Sequence, residues 1–243
     1  MKWLLLLGAR SDIGRAVARR FASEGFNIVL AARDAAAIDD DRKDLEIRFG
    51  IKTMGIIFDA LDFSSHNSFF SDMPVRVAGV VCVVGYLGEQ KKAEKDFDEA
   101  RTIMDTNYTG CVSILNRIAD DFEKRKEGFI IAISSVAGDR GRQSNYIYGS
   151  AKAGFTAYLS GIRNRLAKAN VAVLTVKPGF VYTKMTEGIP LPAALTAQPE
   201  DVACDIYRAW KRGKDVVYTK WFWRYIMAII KAIPEKIFKR LSL

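Results

Sequence analysis

Short apolar runs alternate with segments of helical spacing along nearly all of the 243 residues, and that alternation leaves few folds open. Trp3–Leu7, Asn27–Ala31, Lys52–Phe58, Ala78–Val84, Phe129–Ile133, Val171–Val176 and Val216–Thr219 read as strands. A run such as Leu4-Leu5-Leu6-Leu7 is apolar on both faces, as a strand inside a parallel sheet must be. Between the runs, Ile13–Ser23, Ala35–Phe49, Ala100–Lys126, Ile147–Ala169 and Glu200–Lys211 carry helical patterns. Strands and helices taken in turn predict an α/β architecture, a doubly wound parallel sheet of about seven strands with helices on both faces. No internal repeat, low-complexity tract or linker divides the sequence, and its length suits one large domain.

Hydrophobic residues make up 49% of the chain and charged residues 27%, a globular rather than a disordered composition. Cys82, Cys111 and Cys204 are scattered, two of them in apolar runs. They read as core thiols of a reducing compartment, not as a disulfide frame. The single histidine, His66, has no partner at metal-ligand spacing and reads as a surface or capping residue, so no metal site is expected. Leu4–Leu7 is too short for a signal-peptide core, and no stretch reaches the ~18 apolar residues of a spanning helix. The chain is therefore read as cytoplasmic. Its net charge is +9, but from Arg208 onward ten Lys/Arg face two Asp/Glu, so the tail holds +8 of it. A nearly neutral body without an RNA-binding motif makes nucleic acid an unexpected partner.

Ligands of doubly wound sheets sit beyond the carboxyl ends of the strands, and the polar residues of this chain gather there. Gly8-Ala9-Arg10-Ser11-Asp12-Ile13-Gly14 joins the first strand to its helix. Gly8 permits a tight turn, Gly14 permits close packing, and the helix N-terminus then faces a pyrophosphate. Asp12 stands where a glycine is often found. A carboxylate beside a phosphate is unfavourable, so Asp12 is expected to cap the helix. Arg33 after Ala32 suits a ribose 2′-phosphate, with Arg10 adding charge. This favours NADP(H), with NAD(H) as the alternative. Asp59, after the third strand, suits either the adenine amino group or a turn. Tyr148 and Lys152 lie four residues apart, on one face of a helix and about 6 Å apart along its axis. The ammonium favours phenolate, which makes Tyr148 an acid or base usable near neutral pH.

Taken together, Gly8, Gly14, Asp59, Asn107 in Asn107-Tyr108-Thr109-Gly110, Ser134-Ser135, Tyr148 with Lys152, and Pro178-Gly179 with Thr183 resemble the short-chain dehydrogenase/reductase family over essentially the whole chain. The resemblance implies a Rossmann-type fold and hydride transfer between a nicotinamide and a carbonyl or secondary alcohol. It also implies roles. Ser135 polarises the carbonyl and Tyr148 protonates the nascent alkoxide. Lys152 supports Tyr148 and holds the nicotinamide ribose, and Asn107 anchors a water that extends the relay. Pro178, Gly179, Val181 and Thr183 bind the carboxamide. Gly8, Arg10, Ser11, Asp12, Ile13, Gly14, Arg33, Asp59, Ala60 and Gly85 complete the expected cofactor set. Two stretches depart from the family pattern: Cys82-Val83-Val84-Gly85 replaces Asn-Asn-Ala-Gly, and Leu7 replaces a threonine. The bracing of the fourth strand and the seating of the adenine ribose are expected to differ accordingly.

A narrower resemblance rests on Ala137-Gly138-Asp139-Arg140-Gly141-Arg142 leading into Asn145-Tyr146-Ile147-Tyr148, on Phe58-Asp59-Ala60-Leu61-Asp62, and on the tail from Trp223 to Leu241. These segments look like the decaprenylphosphoryl-2-keto-ribose reductases. Such enzymes use NADH or NADPH to reduce a 2-keto pentose attached through phosphate to a polyprenyl lipid, and a flavin-dependent oxidase supplies the ketone. The product feeds cell-wall glycan synthesis. Residues 1–220 would form the dinucleotide-binding catalytic domain and 221–243 a basic, apolar helical extension. Trp221–Ile233 extends ~20 Å as a helix, too short to span a bilayer. It is expected either to lie in an anionic membrane interface, at the inner face of the cell membrane, or to pack on the body. Tyr182–Thr196 is expected to cover the substrate, with Lys184 and Arg142 near its phosphate. A homo-oligomer, dimer or tetramer, follows from the family resemblance. The competing readings are a 3-oxoacyl-thioester or generic carbonyl reductase and an NADP(H)-sensing regulatory protein. The complete set of Ser135, Tyr148 and Lys152 argues against the sensor.

Overall fold

In the computed structural model, which describes residues 2–241, the apolar runs form a single seven-stranded sheet with every pairing parallel. The strands are β1 (Trp3–Leu7), β2 (Asn27–Ala32), β3 (Thr53–Ile57), β4 (Val77–Cys82), β5 (Phe129–Ile133) and β6 (Ala172–Pro178). A separate parallel pair, β7 (Phe180–Val181) and β8 (Thr196–Ala197), follows, and β9 (Val216–Thr219) closes the main sheet. The order β3-β2-β1-β4-β5-β6-β9 reverses direction between β1 and β4 and opens a crevice at their carboxyl ends.

The helices are α1 (Asp12–Ala22), α2 (Asp39–Phe49), α3 (His66–Ser71), α4 (Gln90–Ala93), α5 (Phe97–Met104), α6 (Gly110–Arg125), α7 (Tyr146–Leu166), α8 (Pro199–Lys211), α9 (Trp223–Ala232) and α10 (Glu235–Phe238). β1 shows why its run had to be apolar throughout. Leu4 and Leu6 join a core with Phe21 of α1 and Ile206 of α8, while Leu5 and Leu7 join a second core with Leu115 of α6 and Phe155 of α7. Full burial of each such side chain contributes about 1.5–3 kcal/mol.

The structure departs from the sequence expectations at particular places. The helix expected over Ala100–Lys126 is α5 and α6 joined by a π-helical turn at Asp105–Thr109. The helix expected from Ala35 opens as a 3₁₀ turn, Ala36–Ile38, before α2. α3 and α4 are short, and no apolar period announced them. His66 is neither a surface nor a capping residue. It is buried, stacks on Phe58 at 5.2 Å, and links Ser113 Oγ (2.9 Å) to the Asp59 carbonyl (3.0 Å) through its two ring nitrogens. Cys82 and Cys111 are buried free thiols with sulfurs 3.8 Å apart, and Cys204 is partly buried.

The extension expected from residue 221 begins as α9 at Trp223, and its last two residues, like Met1 at the other end, lie outside the described residues. One face of α9 packs on the body, with Trp223 and Met227 buried against Val136, Phe180 and Leu195. The other face leaves Trp221, just before the helix, Tyr225 and Ile229 exposed. Among the described residues no helix is long and apolar enough to cross a membrane. Arg140 ties the extension down. Its guanidinium donates to the carbonyls of Ile230 (2.8 Å), Lys231 (3.1 Å) and Ile233 (2.6 Å), pairs with Glu235 (2.9 Å), and lies 3.8 Å from the Phe238 ring centroid. These are the open carbonyls at the end of α9, and a cation there also meets the negative end of the helix dipole. Arg140→Ala is expected to speed amide exchange about tenfold in the last turn of α9 and in α10, since hydrogen bonds to a charged donor contribute ~1.5–3 kcal/mol each. Hydrogen exchange should show the amides of β1 and β5 unchanged.

Candidate active site

The turn after β1 is shaped by sterics. Gly8 has φ +86°, and a Cβ at Gly14 would stand 2.7 Å from the Gly8 carbonyl oxygen and 2.9 Å from Ser11 Oγ. The helix cap expected at Asp12 is instead Ser11, whose Oγ accepts the Gly14 N–H at 3.0 Å. Asp12 occupies the first helical position, and its carboxylate turns across the crevice to accept the Lys184 N–H at 2.8 Å. A glycine there would leave that loop unattached. Arg10 and Arg33 are exposed at the same edge and belong to none of the ion pairs among the described residues. Asp59 accepts the Leu61 N–H at 3.0 Å and so closes a turn, the blander of its two expected roles.

A cavity of about 560 Å³ opens over the carboxyl ends of β1, β4, β5 and β6. It gathers most of the expected residues: Arg10, Ser11, Asp12, Ile13, Gly85, Ser135, Tyr148, Lys152, Pro178, Gly179, Val181 and Thr183. Gly8 and Gly14 shape the turn without lining the cavity, and Arg33, Asp59, Ala60 and Asn107 lie off its wall.

The two serines after β5 divide their work. Ser134 is buried, and its hydroxyl joins the Lys152 carbonyl (3.0 Å) and Thr156 Oγ1 (2.7 Å), fastening β5 to α7. Ser135 Oγ accepts the Ala137 N–H at 3.1 Å, which leaves its own proton to donate into the cavity. Lys152 is 2% exposed, and its ammonium donates to the Ile133 carbonyl at 3.1 Å and lies 5.8 Å from the Tyr148 ring centroid. Two of its three N–H donors remain for ligands.

Asn107 is buried, and its side chain serves the backbone. Its Nδ2 donates to the carbonyls of Tyr86 (2.6 Å) and Ile103 (2.8 Å), and its Oδ1 accepts the Tyr86 N–H (3.2 Å). Both amide protons are spent on backbone, so the side chain holds the chain after β4. The π-helical turn brings it there, and it supplies the bracing that the missing asparagines of Cys82-Val83-Val84-Gly85 do not. A Cβ at Gly85 would lie 3.3 Å from Asn107 Oδ1 and 3.6 Å from Lys152 Nζ.

Sequence reasoning missed the supports of the site. Lys177, next to Pro178, pairs with the buried Asp139 carboxylate, and Tyr218 of β9 donates to its other oxygen at 2.8 Å. Burial and that carboxylate hold the Tyr218 phenol well above the ordinary tyrosine range. The trio fixes the loop after Ser135 to β6 and β9. Its signal was a lysine in an otherwise apolar strand, which needs a buried partner. Trp223 is the second missed support, because its indole occupies the space a Cβ at Gly179 would need.

The dinucleotide that such folds hold fits these residues. The glycine-bracketed turn leaves free N–H groups at the start of α1, and Gly14 admits no side chain. Gly8, Arg10, Ser11, Ile13 and Arg33 would hold its adenosine phosphates, and Lys152 with Pro178 to Thr183 its nicotinamide half. Family comparison agrees with the geometry. The sequence model of the short chain dehydrogenase family matches residues 2–192. An oxidoreductase of uncharacterised activity from Mycobacterium tuberculosis is 36% identical over 241 residues, covering 98% of this chain and 96% of the relative. Another from Streptomyces coelicolor is 35% identical over 244 residues, 98% and 95% respectively. A short-chain dehydrogenase from Sphingobium yanoikuyae, solved with NADPH, shares the fold with a TM-score of 0.83 at 20% identity, over 97% of each chain. The protein belongs to the short-chain dehydrogenase family and is an oxidoreductase.

Because Asp12 clasps the loop at Lys184, Asp12→Ala is expected to speed tryptic cleavage after Lys184 about tenfold, the loss of one charge-assisted hydrogen bond. Asp12→Asn should restore most of the protection.

Proposed function

We propose that this protein is an NADP(H)-dependent reductase of a ketone on a polyprenyl-phosphate-linked pentose, of the decaprenylphosphoryl-2-keto-ribose reductase type. The observation that carries the reductase reading is the convergence of Ser135, Tyr148 and Lys152 on one cavity from β5 and α7. When bound, the nicotinamide supplies the hydride to the carbonyl carbon. Ser135 donates its free O–H to the carbonyl oxygen and polarises it. Tyr148 passes its proton to the same oxygen as the alkoxide forms. Lys152 stabilises the phenolate left behind and offers its remaining donors to the ribose hydroxyls. Arg10 and Arg33, with Asp34 turned to the Ala36 and Ala37 N–H groups, suit a 2′-phosphate, in keeping with the NADPH bound by the Sphingobium relative.

The lipid half of the reading draws on the surface beside the cavity. Met185, Ile189 and Leu191 of the covering loop line its mouth, and Trp221, Tyr225 and Ile229 are exposed on the outer side of the adjoining α9. Lys220, Arg224 and Lys231 flank them. Aromatic and aliphatic side chains bordered by cations suit an anionic membrane surface. A peripheral site at the inner face of the membrane would let the lipid stay in the bilayer while its sugar reaches Ser135. In this reading a flavin-dependent oxidase supplies the ketone, and copies of the chain pair through α6 and α7.

The test is NADPH oxidation by the purified protein with a farnesylphosphoryl 2-keto pentose against a 3-oxoacyl thioester. The keto sugar should be the better substrate, and Tyr148→Phe should lower kcat by about 10²–10⁴-fold while NADPH still binds. A higher kcat/KM for the thioester would replace this reading with fatty-acyl reduction. Separately, vesicles containing anionic lipid should sediment the wild-type protein, and combined Trp221→Ala, Tyr225→Ala and Ile229→Ala should abolish that cosedimentation. Equal sedimentation of the variant would remove the membrane contact.

A further inference from the structure

Reduction of a ketone gives no task to Arg142, a cation of the cavity. Arg142 sits between Ser135 and α7, lines the cavity beside Ser135, Asn145 and Tyr148, and is partly buried. Among the described residues no carboxylate pairs with it, and its hydrogen bonding is confined to a 3.4 Å contact from Nη2 to the Val136 carbonyl. Its Nε is buried without an acceptor, and so is Asn145 Oδ1 without a donor. Arg140, two residues earlier, is the contrast, since it spends its donors on three carbonyls and Glu235. Burial pushes the Arg142 guanidinium below its ordinary range, and the nearby Asp139 charge acts in the opposite direction.

The other cations of the cavity are placed for different work. Lys152 is fixed on the Ile133 carbonyl, Arg10 lies in the turn after β1, and the Lys184 side chain is exposed on the covering loop, where water meets its charge. A desolvated guanidinium with unused donors is unfavourable until an anion meets it. Its planar fork matches the paired oxygens of a phosphate.

We infer that Arg142 is the anion-binding residue of the substrate subsite and takes the phosphate oxygens of the group that carries the ketone. This deepens the reductase reading and rests on it for placing the ketone at Ser135 and Tyr148. Arg142 sets specificity: a phosphate ester is drawn in, and the neutral analogue is not.

The test uses the full chain saturated with NADP⁺ and calorimetric titration with geranyl phosphate, geraniol, geranic acid and inorganic phosphate. Geranyl phosphate should bind best, and Arg142→Met should weaken it about 10–100-fold, as loss of a hydrogen-bonded charge does. Arg142→Lys should recover part of the loss, which a merely structural role would not predict. In turnover, the kcat/KM ratio of the farnesylphosphoryl 2-keto pentose over its phosphate-free glycoside should collapse in Arg142→Met, chiefly through KM. Unchanged geranyl phosphate affinity in Arg142→Met would overturn the inference. So would an equal loss of NADP⁺ affinity, which would assign the residue to the cofactor. Tighter binding of geranic acid would replace phosphate with carboxylate, and inorganic phosphate bound as tightly as geranyl phosphate would make this a free-phosphate site. Should the keto pentose not turn over while geranyl phosphate binding still depends on Arg142, the anion site stands and the keto-sugar reading falls.

Discussion

An ammonium buried without a carboxylate is costly, and the carboxyl edge of this sheet is arranged around one. Lys152 is almost wholly enclosed, yet the group that meets its charge is a backbone carbonyl, that of Ile133. Every neighbour then serves its position. Ser134 fastens the Lys152 carbonyl to the end of β5, and Asn107 holds the chain beyond β4 so that Gly85 comes close beside the ammonium. Tyr148 stands one turn earlier on the same helix. The cation remains underpaired inside the protein, and it lines the same cavity as Tyr148.

The parts of this arrangement that are local in sequence were legible in it. Leu4–Leu7 had to be buried on both faces, and Phe129–Ile133 and Val216–Thr219 were bounded correctly. Tyr148 and Lys152 share a helix face by spacing alone. What stayed hidden depends on partners far away along the chain. The Asp12 clasp joins residues 172 positions apart, so nothing near Asp12 distinguishes it from a helix cap. Asn107 drew its expected role from the family resemblance, whereas the π-helical turn that rotates it onto the Tyr86 backbone has no sequence period of its own. His66 gave no sign of burial, since the groups it joins lie on a turn and on α6.

The C-terminal segment binds to the rest through the same loop that carries Ser135. Trp223 fills the space above Gly179 and donates to the Leu195 carbonyl at 3.1 Å, so α9 touches both the turn after β6 and the end of the covering loop. Arg140 fixes the far end of that helix. The residues that shape the cavity and those that leave an apolar stripe outside it are therefore opposite faces of one element. A molecule entering past the covering loop would meet the aliphatic side chains of Met185, Ile189 and Leu191.

Three charged residues within four positions face three ways: Asp139 into the sheet edge, Arg140 to the tail, and Arg142 into the cavity. The segment thus works as a shared bracket, and its parts are not exchangeable one at a time. A chimaera that takes residues 223–238 from a relative inherits a demand for a matching cation at position 140 and a bare α-carbon at position 179. Grafting the tail without the bracket would leave the serine loop anchored on one side only. Recombination within this family should therefore succeed when the segment from 135 to 142 travels together with the chain end, and fail when a crossover separates them.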